Sequence, residues 1–315
     1  MIRNPEATTL LSSLGWVDHD ALWRFDGRDG TSERVPLESG ARYLSLHSSG
    51  SDRFAVAHHF DGRRFEVSVR SFADPSGVLA RAVIAGEESA VTGDSSAWSG
   101  VPQLYVEYLR FAPWNDFVLL RISPSTSSID VQRLQWYDDS YDKAYQGVIG
   151  VMELPVAGSA LVSVQRSSRL ILHDTETGMQ RRSIELGSRG GNPSLELRNS
   201  GKEVWAIDYD TLVVVRTDDW QIDRRARLQS ANRGTQQFIG DFSFAPDQEL
   251  CVVARPFTGD IVAVDIATLR IKRSAKIGRQ PLEVAALPRG EVVARDWKTG
   301  DLLRGALKRR WFAGI

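Results

Sequence analysis

A phrase that recurs along the chain constrains its fold more than any other feature. The phrase is a short apolar segment, a polar turn, a second apolar segment and a turn containing Asp or Thr-Gly. It begins at residues 54, 117, 161, 204, 251 and 292, so that four of the five intervals measure 41 to 47 residues. A repeat of about 40–50 residues made of short strands is typical of a β-propeller blade. We therefore predict an all-β fold, with residues 1–315 forming a single propeller domain.

The clearest unit shows why these segments are expected to be strands. Residues 238–244 are predicted to form its innermost strand, 251–255 its second and 261–265 its third. The second and third segments are continuously apolar, as expected for strands whose two faces are both covered by neighbouring blades. Residues 270–277 alternate charged and apolar side chains, which indicates an outer strand with one side in water.

The later units also resemble a known family. Asp174-Thr-Glu-Thr-Gly and Asp265-Ile-Ala-Thr-Leu end the third strands, and Ile277-Gly-Arg-Gln-Pro links two units. Over about residues 148–305 this pattern resembles the bacterial seven-bladed propellers named for a Tyr-Val-Thr-Asn (YVTN) tetrapeptide, although the tetrapeptide itself is absent. The resemblance implies architecture and leaves the activity open, because propellers host many unrelated functions.

The number of blades depends on the N-terminal strands. Second-strand positions near residues 15, 54, 117, 161, 204, 251 and 292 predict seven blades. Residues 15–37 supply strands without a preceding innermost strand, so we expect N- and C-terminal strands to pair and close the ring. The alternative is a six-bladed ring, in which residues 15–37 complete the final blade.

Composition excludes several classes of function. The chain has 39 basic and 40 acidic residues, and its net charge of −1 gives no global attraction to nucleic acid or to an anionic membrane. Its N-terminal residues lack the apolar core of a secretory signal. The apolar window 147–164 is interrupted by Pro155 and Gly158, which favours two buried strands over a membrane span. The only cysteine, Cys251, excludes an internal disulfide, so we predict a cytoplasmic protein. From the charge and the interrupted apolar window we predict no nucleic-acid or membrane partner.

Three successive links between blades each carry an arginine. Arg189, Arg233 and Arg279 lie in such links, beside Gly, Asn or Gln. These links end an outer strand and begin the next inner strand, so they share one face around the central channel. Because a guanidinium group offers a rigid fork that suits carboxylates and phosphates, we predict that the three arginines bind an anionic ligand at the channel mouth.

No catalytic residue, metal site or cofactor motif is predicted. His58 and His59 are adjacent in a strand, so their side chains point to opposite faces and do not chelate one ion easily. Trp205 and Trp297 lie in or next to middle strands and are interpreted as blade packing. We therefore predict a non-enzymatic binding or scaffolding propeller that presents its channel mouth to a protein partner or a small anionic ligand. The alternative is a metal-dependent enzyme of the lactonase or lyase type.

Overall fold

In the residues that the computed structural model describes, the regular elements are β-strands and one short 3-10 turn, as the sequence predicts for an all-β chain. The structure describes the following residues: 13–18, 21–26, 31–36, 41–49, 52–60, 65–84, 96–97, 105–111, 116–123, 128–134, 148–154, 160–165, 168–174, 180–187, 190, 194–228, 237–246 and 249–307.

The described residues form seven antiparallel sheets, and each sheet consists of strands that are consecutive in the chain. The first sheet contains β1 (Ser13–Asp18), β2 (Ala21–Asp26) and β3 (Ser32–Pro36). The second contains β4 (Ala41–Ser49), β5 (Asp52–Phe60), β6 (Phe65–Ser71) and β7 (Val78–Ile84). The third contains β8 (Ser96–Ala97), β9 (Tyr105–Phe111), β10 (Asp116–Ser123) and β11 (Ser128–Leu134). The fourth contains β12 (Val148–Leu154), β13 (Ala160–Gln165), β14 (Arg169–Asp174) and β15 (Gln180–Glu185).

The remaining three sheets continue the same order. The fifth contains β16 (Glu196–Arg198), β17 (Glu203–Asp208), β18 (Thr211–Arg216) and β19 (Ile222–Arg227). The sixth contains β20 (Phe242–Phe244), β21 (Leu250–Arg255), β22 (Asp260–Asp265) and β23 (Ile271–Lys276). The seventh contains β24 (Pro281–Ala286), β25 (Glu291–Asp296) and β26 (Leu302–Ala306), with a 3-10 turn over Pro288–Gly290 between its first two strands.

The core lies between the sheets, because successive side chains of a middle strand point to opposite faces. In β17, Val204 and Ala206 pack toward the fourth sheet, whereas Trp205 and Ile207 pack toward the sixth. All four side chains are fully buried. The continuously apolar middle strands predicted from the sequence are therefore confirmed, and their apolar character follows from cover on both sides.

The outer strands differ from the middle strands as predicted. Along β19 exposed and half-buried side chains alternate, and β23 follows a similar pattern. Most of their basic residues are exposed at the rim of the sheets, whereas Arg224 and Arg273 are half-buried. Charges on such an edge prevent it from pairing with the edge of another chain.

One innermost strand is shorter than the sequence prediction. Residues 238–244 were expected to form it, but β20 spans Phe242–Phe244 alone. The reason is a contact with the next sheet, since the Asp241 amide donates to the Leu282 carbonyl at 2.7 Å. A Cβ atom on Gly240 would lie 2.3 Å from the same carbonyl oxygen, so only glycine fits this approach.

The first and seventh sheets pack against each other. Trp23 of β2 contacts a buried cluster formed by Ala285, Leu287 and Val293. On its other side β2 contributes Leu22 to a cluster with residues of the second sheet. Among the described residues, β1–β3 and β24–β26 form separate sheets and no hydrogen-bonded ladder joins them. The predicted pairing of N- and C-terminal strands is thus not seen in this part of the chain.

Candidate functional site

One end of the last three sheets is assembled from two kinds of connection. Turns join the second and third strands within a sheet, and links join one sheet to the next. The Tyr209 amide donates to the Gly190 carbonyl at 2.9 Å, and the Trp297 amide donates to the Gln280 carbonyl at 2.8 Å. Because hydrogen bonds of this type tie turns to links, both lie on one face. We call it the turn face: turns 209–210, 256–259 and 297–301 with the described link residues 186–187, 190, 194–195, 228, 237–241 and 277–280.

Arg279 lies on the turn face, as the sequence predicts for the link before β24. Its guanidinium group forms an ion pair with the Asp301 carboxylate, and both side chains are about half exposed. An anionic ligand at Arg279 would therefore have to compete with Asp301. Arg189 and Arg233 lie outside the described residues, so the predicted convergence of the three arginines stays a prediction.

An aromatic cluster lies on this face. Phe238 meets Phe257 edge-on with ring centroids 5.0 Å apart, and it meets Trp297 in the same way at 5.3 Å. Phe257 and Trp297 contact each other at 6.2 Å, and Tyr209 contacts Phe238 at 6.2 Å. Edge-to-face contacts at these distances are favourable, because the positive ring edge meets the negative ring face. The aromatic cluster is defined as Tyr209, Phe238, Phe257 and Trp297.

Two members of the aromatic cluster are open to solvent. Phe257 is 43% exposed and Trp297 is 48% exposed, although each is packed against Phe238. Trp297 does pack between blades through its contact with Phe238, but it stands in the turn after β25, so nearly half of it stays exposed instead of buried within the strand. The interpretation as blade packing is confirmed for Trp205, which is fully buried between the fifth and sixth sheets.

Exposed cations lie in or contact the turns that carry Phe257 and Trp297. Lys276 is exposed at the end of β23, and its ammonium group donates to the carbonyl of Thr258. Lys298 is exposed directly beside Trp297. Lys298 shares its turn with Trp297, whereas Lys276 contacts the turn that carries Phe257, and Arg279 pairs with Asp301 in the turn that carries Trp297.

The neighbouring carboxylates are mostly turned inward. Asp260 accepts a 2.9 Å hydrogen bond from Arg255, and both side chains of this ion pair are nearly buried. The carboxylate of Asp296 accepts hydrogen bonds from the amides of Gln280, Lys298 and Thr299 at 2.8–3.0 Å. Burial raises the pKa of Asp296, but these backbone amides outweigh it, so its pKa lies below the ordinary value. The accessible charge around the rings is therefore mainly positive.

The aromatic cluster was not predicted, although the sequence carries a signal for it. Phe257-Thr-Gly-Asp and Trp297-Lys-Thr-Gly-Asp both place an aromatic residue in the turn after a buried second strand. Rings at positions that differ by one residue in two successive repeats indicate a shared surface. Phe238 carries no such signal, because it lies outside any strand, a few residues before β20.

Neither a metal site nor a membrane span is found in the part of the chain that the structure describes. No group of three or more His, Cys, Asp or Glu side chains there is arranged to hold a metal ion. None of its helical segments is long and apolar enough to cross a membrane. Cys251 is fully buried in the sixth sheet, as predicted for a small apolar side chain in a middle strand.

Comparison with known proteins supports the fold. No family model matches the chain, and no curated protein matches it. The chain is similar to the crystal structure of the β-propeller domain of Cps50 (Swd1) from Myceliophteria thermophila, with a TM-score of 0.69 and 13% identity, covering 94% of this chain and 93% of that one. It is also similar to a chain of the mitotic checkpoint complex, with a TM-score of 0.67 and 10% identity, covering 98% and 89%. The chain therefore has a β-propeller fold, while the resemblance to the YVTN-type family stays a prediction.

Proposed function

We propose that the protein is a non-enzymatic binding propeller whose turn face holds a protein partner. The observation that carries this proposal is the exposure of Phe257 and Trp297 side by side on one face. Aromatic side chains that remain in water on a folded surface mark contact sites, since burying them in a complex gains free energy. Similarity to propellers supports the scaffold on which such a surface is displayed.

We also propose that the seven sheets are seven blades of one closed ring. Support comes from Trp23, which brings the first sheet against the seventh. Shared apolar clusters likewise join the fourth sheet to the fifth, the fifth to the sixth and the sixth to the seventh. A ring of this kind fixes the turns and links of successive blades on one face, which makes the turn face rigid.

The arginine-bearing links belong to the same proposal. We propose that Arg189, Arg233 and Arg279 contribute to the mouth of the ring and bind an acidic segment of the partner or a small anion. Arg279 supports this, since it lies on the turn face about half exposed. Its ion pair with Asp301 would exchange for a contact with the bound anion.

Partner capture with matched surface variants tests the proposal. Phe257→Ser and Trp297→Ser remove the exposed rings, whereas Ile271→Ser removes an equally exposed apolar side chain from the outer strand β23. We expect quantitative mass spectrometry to show partners that bind the wild type and Ile271→Ser and are lost from the other two variants. Retention of every partner by Phe257→Ser and Trp297→Ser would contradict the proposal.

A further inference from the structure

We propose that the aromatic cluster binds an extended peptide segment in which an apolar anchor residue is flanked by acidic residues. This inference rests on the proposed function and adds the chemistry of the partner. Three arguments support it. They are the packing of the rings, the sign of the accessible charge on the turn face, and the poor fit of a cationic ligand or a second copy of the chain.

The rings are held in place before any partner binds. Phe238 is packed edge-on against Tyr209, Phe257 and Trp297. The backbone on both sides is also fixed, since the Trp297 amide donates to Gln280 and the Ile277 amide donates to Gly259. A surface that is already ordered loses little conformational entropy on binding, so even a short segment is able to bind it.

The accessible charge selects an acidic partner. Lys276, Arg279 and Lys298 are exposed, and each of them lies in or contacts a turn that carries a ring. Among the carboxylates nearby, Asp260 is bound by Arg255, and Asp296 is enclosed by backbone amides. Asp301 is the exception, because it is exposed and already paired with Arg279. Carboxylates of a partner that lie beside its anchor residue would therefore meet lysine ammonium groups.

Two other partners fit the aromatic cluster less well, a cationic ligand and a second copy of the chain. A cationic ligand held between aromatic faces needs open space inside the cluster, but Phe238, Phe257 and Trp297 are in direct ring contact at 5.0–6.2 Å. The exposed lysines would also repel it. A second copy of the chain would bring the same basic patch against itself across a two-fold axis, which places like charges face to face.

Labelled synthetic peptides test the proposal by fluorescence anisotropy. The probe is the peptide DEDWLDED, and its two controls are DEDSSDED, which lacks the apolar anchor, and KRKWLKRK, which reverses the charge. We expect the probe to bind at least tenfold more tightly than either control, with affinity that falls as salt rises. Equal or tighter binding of KRKWLKRK, or no binding of the probe, would overturn the proposal.

Variants of the protein locate the contact. Phe257→Ser and Trp297→Ser should each weaken binding of DEDWLDED at least tenfold, and so should the double variant Lys276→Glu/Lys298→Glu. Ile271→Ser, on the outer strand, should bind as the wild type does. Unchanged binding by the ring variants would place the peptide elsewhere and overturn the proposal. Thermal melting curves confirm that each variant is folded.

The peptide and capture experiments separate the two proposals. If captured partners require Phe257 and Trp297 but the acidic peptide does not bind, the turn face is a protein-binding surface and the inferred partner chemistry is wrong. If neither the partners nor the peptide depend on these rings, both proposals are wrong.

Discussion

The indole of Trp297 lies edge-on against the phenyl ring of Phe238, with centroids 5.3 Å apart and ring planes at 75°. Trp297 stands in a turn of the seventh sheet, whereas Phe238 stands in the link that leads into the sixth. The contact therefore ties two blades together at the turn face. Since Phe238 also contacts Tyr209 and Phe257, it is the residue on which the aromatic cluster depends.

Replacing Phe238 should destabilise the protein more than replacing Phe257. Phe238→Ala removes three ring contacts and leaves a cavity, so we expect a loss of about 2–4 kcal/mol in the free energy of unfolding. Phe257 is 43% exposed, and its replacement by Ala should cost about 1 kcal/mol. Urea unfolding of both variants measures the difference. Equal losses would show that Phe238 is not the centre of the cluster.

The two Thr-Gly-Asp turns offer a matched pair of glycines. Gly259 and Gly300 both have positive φ, +63° and +72°. A Cβ atom on Gly259 would lie 2.7 Å from the Arg279 carbonyl oxygen, whereas at Gly300 it would meet no atom within 4 Å. Gly300→Ala should therefore cost about 1–2 kcal/mol from backbone strain alone.

Gly259→Ala should cost clearly more than Gly300→Ala, because the link at Arg279 must also move. Both variants can be compared by thermal or urea unfolding under the same conditions. A loss at Gly259 no larger than that at Gly300 would contradict the close approach of turn and link that defines the turn face.

Asp296 should make stability depend on pH. Its pKa lies below the ordinary value because the hydrogen bonds from the amides of Gln280, Thr299 and Lys298 outweigh the effect of burial. A carboxylate whose pKa is lowered on folding stabilises the folded state at neutral pH. That contribution is lost as the pH falls below about 4 and through the folded pKa.

The variant Asp296→Asn isolates this contribution. It should be less stable than the wild type at pH 7 by about 1.5–3 kcal/mol, the range for hydrogen bonds to a charged group. The difference in the free energy of unfolding between variant and wild type should be smaller at pH 3 than at pH 7. Asp218→Asn, at a side chain that is 79% exposed, serves as the control and should change stability little at either pH. A difference for Asp296→Asn that persists unchanged at pH 3 would contradict the prediction.

Much of the fold could be predicted because the middle strands are covered on both faces. Predicted segments 251–255 and 261–265 match β21 and β22 to within one residue. Apolar character follows directly from two-sided burial, so it is visible in the sequence. The shortened β20 could not be predicted in this way, because it results from contact with Leu282 in the next sheet.

The site could be predicted only in part. The position of Arg279 in a link follows from the repeat, but its ion pair with Asp301 depends on how that link packs against the next turn. The interpretation of Trp297 as blade packing accounts for its contact with Phe238 but not for its exposure. Its place in the turn leaves half of the indole in water, and the repeat of an aromatic residue before Thr-Gly-Asp is the signal that reveals it.

Closure of the ring should depend on the first sheet. Leu22 packs toward the second sheet and Trp23 toward the seventh, so removing residues 1–36 would uncover apolar surface on both. We expect the truncated chain to aggregate or to lose cooperative unfolding. Trp23→Ala in the full chain should cost about 2–3 kcal/mol, less than full burial would give, because Trp23 is partly exposed. A truncated chain that stays soluble and unfolds cooperatively would contradict closure.

Site-specific photo-crosslinking tests the role of the turn face most directly. A benzophenone amino acid would be placed at position 297 or 257 on the turn face, or at position 271 on the outer strand, where the exposure of the native side chain is similar. We predict that irradiation in cell extract yields defined crosslinked protein adducts from positions 297 and 257. The same adducts should not form from position 271. Adducts that form equally from all three positions, or from position 271 alone, would contradict the assignment of the turn face as the binding surface.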